Sequence, residues 1–159
     1  PDYCTEWGRL YCVPVAQGPY GLAYNTEVFE EAPTSWNIFW DPQYKGRYSL
    51  GQEQYEQNIY MTALAMGIDR KDIGNYRKLN TPEFQEKLTQ LVTNAHNMWT
   101  GIDKPEDLQG LAFAAVWGDS LGGLREKGER WEFAEPKAGT TSWVETLASS
   151  TQTISTRPS

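Results

Sequence analysis

A chain of 159 residues with 39% hydrophobic, 13% aromatic and 22% charged residues has the size and composition of one folded domain, which excludes a disordered or collagen-like chain. Its 14 basic and 21 acidic residues give a formal charge of -7, which repels phosphate backbones and anionic lipid, so nucleic acid is not an expected partner. No run approaches the roughly 18 consecutive apolar residues of a transmembrane helix, and no membrane span is expected.

Cys4 and Cys12 are the only two cysteines, with Gly8 between them. Neither C-x-x-C spacing nor a paired Cys and His zinc pattern is present. Two readings stay open: two separate small apolar residues, or a hairpin-like loop closed by a disulfide in an oxidising compartment. Tyr11 to Val15 and Gly21 to Asn25 then read as two strands flanking a turn at Gly18-Pro19-Tyr20. Asn25 is placed to cap a short helix through Val28 and Phe29, and the aromatic-rich stretch from Pro33 to Gly46 reads as short helix and loop.

Arg47 to Leu50 predicts a strand. Gly51-Gln52 breaks it before a helix in which Tyr55, Ile59 and Ala63 recur every four residues, with Gly67 as its stop. A short helix from Asp72 to Leu79 precedes the clearest one, with Thr81 as N-cap, Pro82 at the first position and Glu83 in the first turn. Phe84, Leu88, Leu91, Val92 and Ala95 lie along one face of it. His96 is expected on its last turn, a favourable cation near a helix C-terminus. Pro105 to Leu108 form a helical turn. Leu111 to Val116, apolar without alternation, reads as an interior strand buried on both faces. Gly118-Asp119-Ser120 opens a helix ending near Gly128, and Trp131 to Ala134 and Trp143 to Leu147 read as strands. Strand and helix alternate, which predicts an α/β sandwich. Residues 149–159, rich in Ser and Thr, read as a flexible tail or linker after a domain of residues 1–148.

Little points to catalysis. No Gly-x-Gly-x-x-Gly, Walker or Gly-x-Ser-x-Gly pattern occurs, and the single histidine leaves no cofactor or metal to expect. Gly118 and Gly122-Gly123 follow the buried strand and give a weak hint of an anion at the next helix start. Two features stand out. Trp117 ends the buried strand, where open α/β sheets place ligand crevices, and Trp143-Val144-Glu145 puts an indole and a carboxylate on one face of an extended segment. An aromatic wall beside an acid suits a cationic ligand; the alternative is core-filling indoles beside a solvated acid. The junction Gly51-Gln52-Glu53-Gln54, leading to Glu56 and Gln57, gathers amides and carboxylates at a strand-to-helix turn, where acids also serve as ordinary dipole complements.

The stretches from Cys12-Val13-Pro14 to Tyr24-Asn25, then Pro33-Thr34-Ser35-Trp36, Trp40-Asp41-Pro42-Gln43-Tyr44-Lys45-Gly46-Arg47 and Pro136-Lys137-Ala138-Gly139-Thr140-Thr141-Ser142-Trp143-Val144-Glu145 resemble the spermidine/putrescine-binding proteins of bacterial ABC importers. The likeness runs over roughly residues 10 to 148. It implies an α/β three-layer sandwich with a mixed central sheet, the second lobe of a type II periplasmic binding protein. In that family two lobes close over the ligand, so the strand near Pro14 to Asn25 enters this lobe and the one near Glu145 leaves it. The resemblance implies a periplasmic, non-enzymatic solute-binding domain. Its partners would be a small cationic ligand, the first lobe of the same receptor and an ABC permease. The implied ligand contacts are Trp117, Trp143 and Glu145, with the family's two aspartates and later glutamate falling on Glu53, Gln54 and Gln57. Two formal charges are lost there. A periplasmic sensor domain would share these residues, and a carbohydrate-active enzyme pairing Glu53 with Glu145 is the third reading, needing acids about 5 to 9.5 Å apart.

Overall fold

The computed structural model describes residues 4–99, 104–118 and 120–148; Asp119 and the expected tail 149–159 lie outside them. The chain divides into a larger unit, Pro19–Thr141, and a smaller one made of its two flanking segments.

In the smaller unit, β1 (Thr5–Glu6) and β2 (Arg9–Leu10) form an antiparallel hairpin. Trp7 and Gly8 turn it, with φ of 47° and 74°. Two central residues with positive φ make the type I′ geometry that matches strand twist; glycine takes it freely and Trp7 at some cost. Cys4 and Cys12 form a disulfide across this hairpin, with Cα atoms 4.9 Å apart, so the bonded reading holds.

β3 (Val13–Asn25) is one strand of 13 residues. Sequence reasoning placed a turn at Gly18-Pro19-Tyr20, and the structure corrects it. A proline lacks only its N–H, and the carbonyl of Pro19 still accepts from the N–H of Gly118 at 3.0 Å. Asn25 caps no helix: its side chain accepts from Glu27 N–H at 2.9 Å and holds a turn.

In the larger unit, two 3-10 helices follow, Trp36–Trp40 and Pro42–Tyr44, started by side-chain caps from Ser35 and Asp41. They lead into β4 (Tyr48–Gly51) and α1 (Tyr55–Ala65). Gly67, at φ 72°, ends α1 as expected, with Ile68 N–H returning to the Ala63 carbonyl. The predicted spacing of Tyr55, Ile59 and Ala63 does not mark the buried face. Tyr55 is 68% exposed, and Asn58, Met61, Thr62 and Leu64 go inward with Ala63. The predicted helix 72–79 is instead a 3-10 turn, Arg70–Asp72, and α2 (Tyr76–Leu79), which Asn75 caps.

α3 (Pro82–Thr93) starts as expected, with the Thr81 hydroxyl accepting from Phe84 N–H at 3.3 Å. Phe84 and Leu91 are buried, but Val92 is 39% exposed. The helix stops before His96, which is exposed and whose N–H donates to the Tyr48 carbonyl; it leads into β5 (Asn97–Trp99), a strand missed in the sequence. After α4 (Pro105–Leu108), β6 (Phe113–Trp117) is fully buried up to its last residue. α5 (Ser120–Glu126), β7 (Trp131–Phe133) and β8 (Thr141–Leu147) complete the order.

The sheet runs β5-β4-β6-β3-β7, with β8 also paired to β3. β4 is parallel to β5 and β6, whereas β3 is antiparallel to β6 and β7. This is the mixed α/β sheet of the implied fold. α1 and α3 pack together with the 3-10 helix Trp36–Trp40, and α4 packs with α5. Phe113 anchors the core: it stacks on Tyr48 at 5.4 Å and takes Phe39 edge-on at 4.8 Å. Tyr48 donates to the Leu91 carbonyl at 2.6 Å, which satisfies its buried hydroxyl and ties β4 to α3. Burial also drives its pKa far upward.

Candidate functional site: the strand ends of the larger unit

β4, β5 and β6 run parallel, so their C-terminal ends lie at one edge of the sheet, at Gly51, Trp99 and Trp117. In α/β sheets that edge, together with the first turn of the following helix, is where ligand crevices form. Trp117 is half-buried. It lies opposite Tyr20 in the β3 register and meets that ring edge-on, centroids 4.8 Å apart at 69°. Tyr20 in turn leans on Trp99 at 6.5 Å. Trp99 is 1% exposed and donates its Nε1–H to the Ala115 carbonyl at 3.2 Å. A buried indole thus supports a buried phenol ring, and that ring supports a half-buried indole.

Gly51 lets the chain pass this cluster. A Cβ there would stand 2.7 Å from Trp99 Cζ2 and would also overlap Gln54. Asn58, buried in α1, donates to the Gly51 carbonyl at 3.1 Å and pins the first turns of α1 to the end of β4. Glu53, Gln54 and Gln57 occupy this junction as the spacing predicted. Glu53 is exposed and Gln54 half-buried, its stem lying over Gly51. Gln57 is half-buried and accepts from the Thr141 hydroxyl at 2.7 Å. Glu56, on the same junction, accepts from the Tyr76 hydroxyl at 3.2 Å on the α2 side. Hydrogen bonding with Tyr60, partial desolvation and the nearby Glu56 charge together push the exposed Tyr76 hydroxyl up to about 12. Gly118 gives its N–H to Pro19, so that donor is not open to the anion hinted at by the glycines.

Tyr20, Asn58, Trp99, Thr140 and Thr141 are members of this cluster that sequence reasoning did not single out. Thr140 donates its hydroxyl to the Tyr20 carbonyl at 2.5 Å, and the Thr141 hydroxyl, which donates to Gln57, stands 3.5 Å from the same carbonyl. The two threonines lie some 120 positions away from Tyr20, a pairing that no local pattern announces.

In the smaller unit, Trp143 is half-buried and Val144 and Glu145 are exposed on β8. The Trp143 indole rests on Gly18, where a Cβ would come 2.9 Å from Nε1. Among the described residues there is no cluster of metal-ligating side chains and no helix long and apolar enough to cross a membrane.

Residues 2–157 match the family model of the bacterial extracellular solute-binding protein. The chain belongs to that family. Among solved structures of similar fold is the spermidine/putrescine ABC transporter substrate-binding protein PotD of Streptococcus pneumoniae, solved with calcium and HEPES. It shares 17% identity at a TM-score of 0.68, over 89% of this chain and 43% of PotD. An ABC transporter structure from Rhodopseudomonas palustris shares 19% at 0.67, over 93% of this chain and 44% of the other. The binding protein MotA of A. tumefaciens, in complex with glucopine, shares 18% at 0.60, over 84% and 44%. At such identities the likeness establishes the fold. The chain spans less than half the length of these solved proteins.

Proposed function

We propose that residues 1–148 are one ligand-binding lobe of a periplasmic receptor serving an ABC importer, and that they form one wall of a cleft for a small amine such as putrescine or spermidine. The remaining wall would come from a first lobe of the same receptor, and an ABC permease would receive the closed complex. The observation that carries the reading is Trp117: a half-buried indole at the C-terminal end of a central strand, held edge-on by Tyr20. A flat ring in that place covers methylenes and attracts ammonium through its quadrupole. Glu53 at the adjoining junction adds a carboxylate. Trp143 and Glu145 are assigned by resemblance, as one further aromatic and one further acid.

The smaller unit supports the need for a second lobe. Trp7 is 89% exposed, Leu147 66%, Leu10 64% and Val13 and Val15 52% each, an apolar content uncommon on a surface that stays in water. Binding by this chain should therefore be weak, because half of the contacts are supplied elsewhere. The test is a titration of the chain with putrescine and spermidine, followed by calorimetry and by the indole NMR signals. The expected result is weak binding that moves the Trp117 indole and falls at least tenfold in Trp117→Ala, about 1.4 kcal/mol. No movement of any indole with any amine refutes the reading. Nanomolar affinity for the chain alone refutes the shared cleft.

A further inference from the structure

We infer that Gln57, oriented by Thr141, makes this lobe select a ligand whose end at that position carries an oxygen acceptor rather than an ammonium; the inference rests on the ligand-binding reading above and narrows its small amine from a diamine to one with an oxygen at the far end. The Thr141 hydroxyl donates to Gln57 Oε1 at 2.7 Å. The Tyr20 carbonyl already receives the Thr140 hydroxyl at 2.5 Å, whereas Thr141 stands 3.5 Å from it. Thr141 is thus directed to Gln57. A side-chain amide whose oxygen accepts in this way holds its NH2 on the side away from Thr141, presenting two donors and no charge.

The neighbouring acids do not reverse this. Glu56 on the next position of the helix is engaged by Tyr76, and Glu53 stands exposed before the first turn. An ammonium brought to Gln57 would meet donors and lose part of its hydration without replacement. A hydroxyl or carboxylate there would accept from the amide. Leaving a polar group unmatched discriminates more sharply than adding or removing a methylene. The fitting solute therefore carries an amine at one end, for the indole and acid, and an oxygen at the other.

The experiment uses three probes of equal chain length: putrescine, γ-aminobutyrate, and aminobutanol with its hydroxyl at the far end. The 159-residue chain is titrated with each while the Gln57 side-chain NH2 and the Trp117 indole are followed by NMR. The two oxygen-bearing probes are expected to bind at least tenfold tighter than putrescine and to shift the Gln57 NH2. Gln57→Glu should invert the order. Thr141→Val, which frees the amide to rotate, should shrink the preference while the Trp117 shift persists. Unfolding curves confirm that each variant is folded. Putrescine binding as well as or better than the others, or an order unchanged in Gln57→Glu, overturns this inference and leaves the ligand-binding reading standing. A preference undiminished in Thr141→Val overturns the orienting role of Thr141. Failure of all three probes to move the Trp117 indole overturns the inference and the reading together.

Discussion

Replacing Gly51 with alanine should destabilise the protein, against the usual direction of such a change. Gly51 is not among the glycines with positive φ, so alanine fits the backbone. On that ground alone it would stabilise by about 0.4–1 kcal/mol by restricting the unfolded chain. Its Cβ, however, would come 2.7 Å from Trp99 Cζ2 and 2.9 Å from Gln54 Cβ. The Gln54 Cγ can rotate aside, but its Cβ is fixed by the backbone and stays in the way. Trp99 cannot move either, because it is 1% exposed and its indole N–H is held by the Ala115 carbonyl. Overpacking of this kind costs about 1–3 kcal/mol, which leaves a net loss of about 1–2 kcal/mol. For a chain of this size that lowers Tm by about 2–8 °C. Because Trp99 supports Tyr20, and Tyr20 supports Trp117, the near-UV circular dichroism of the indoles should change as well. Urea and thermal unfolding measure the loss. Gly122→Ala is the control: no atom lies within 4 Å of its Cβ, and an alanine inside α5 should stabilise by about 0.5–1 kcal/mol. The reasoning fails if Gly51→Ala matches or exceeds the wild type in stability.

Two further predictions concern the smaller unit and the acid limb. Opening the Cys4–Cys12 disulfide, which closes a loop of sequence separation 8, should release about 2.5 kcal/mol of loop-closure constraint. The loss should be local, with faster proteolysis near Trp7-Gly8 and an unshifted unfolding midpoint for the larger unit; a shift of the whole curve would contradict it. The carboxyl of Glu83 is held below the ordinary glutamate value by its own backbone N–H and by Thr81. The unfolded chain therefore takes up this proton at higher pH than the folded one. The stabilisation is complete above the ordinary value and disappears as pH falls through the folded one. Glu83→Gln should flatten that part of the acid limb in urea midpoints; an unchanged slope would show that the cap holds no charge-dependent stability.

Where an element depends on neighbours within one or two turns, it was legible. Thr81, Pro82 and Glu83 announced the start of α3, and Gly67 the end of α1, because capping and left-handed geometry involve residues a few positions apart. The unbroken apolar run at Leu111 to Val116 announced an interior strand, since only a strand covered on both faces lacks alternation. Trp117 could be placed at a strand end by the same local reading. Other expectations failed where a distant partner decided. Pro19 reads as a turn, yet β3 continues through it because the missing N–H leaves its carbonyl free to pair with Gly118. His96 reads as the end of a helix, yet its N–H is claimed by Tyr48 across the sheet. Tyr55 shares its period with buried residues, yet it is exposed, while the polar Asn58 goes inward to hold Gly51.

The sequence by itself thus determined the α/β class, the acidic surface and, through its resemblance to a family, where a ligand would be sought. Only the tertiary structure decided that Cys4 and Cys12 are joined, that Glu56 belongs to Tyr76, and that the amide of Gln57 is oriented by a threonine 84 positions away. The physical reason is range. Backbone propensities and apolar period act between near neighbours and are written locally, whereas the direction of a hydrogen bond at a site depends on which distant strand end the folded sheet brings beside it.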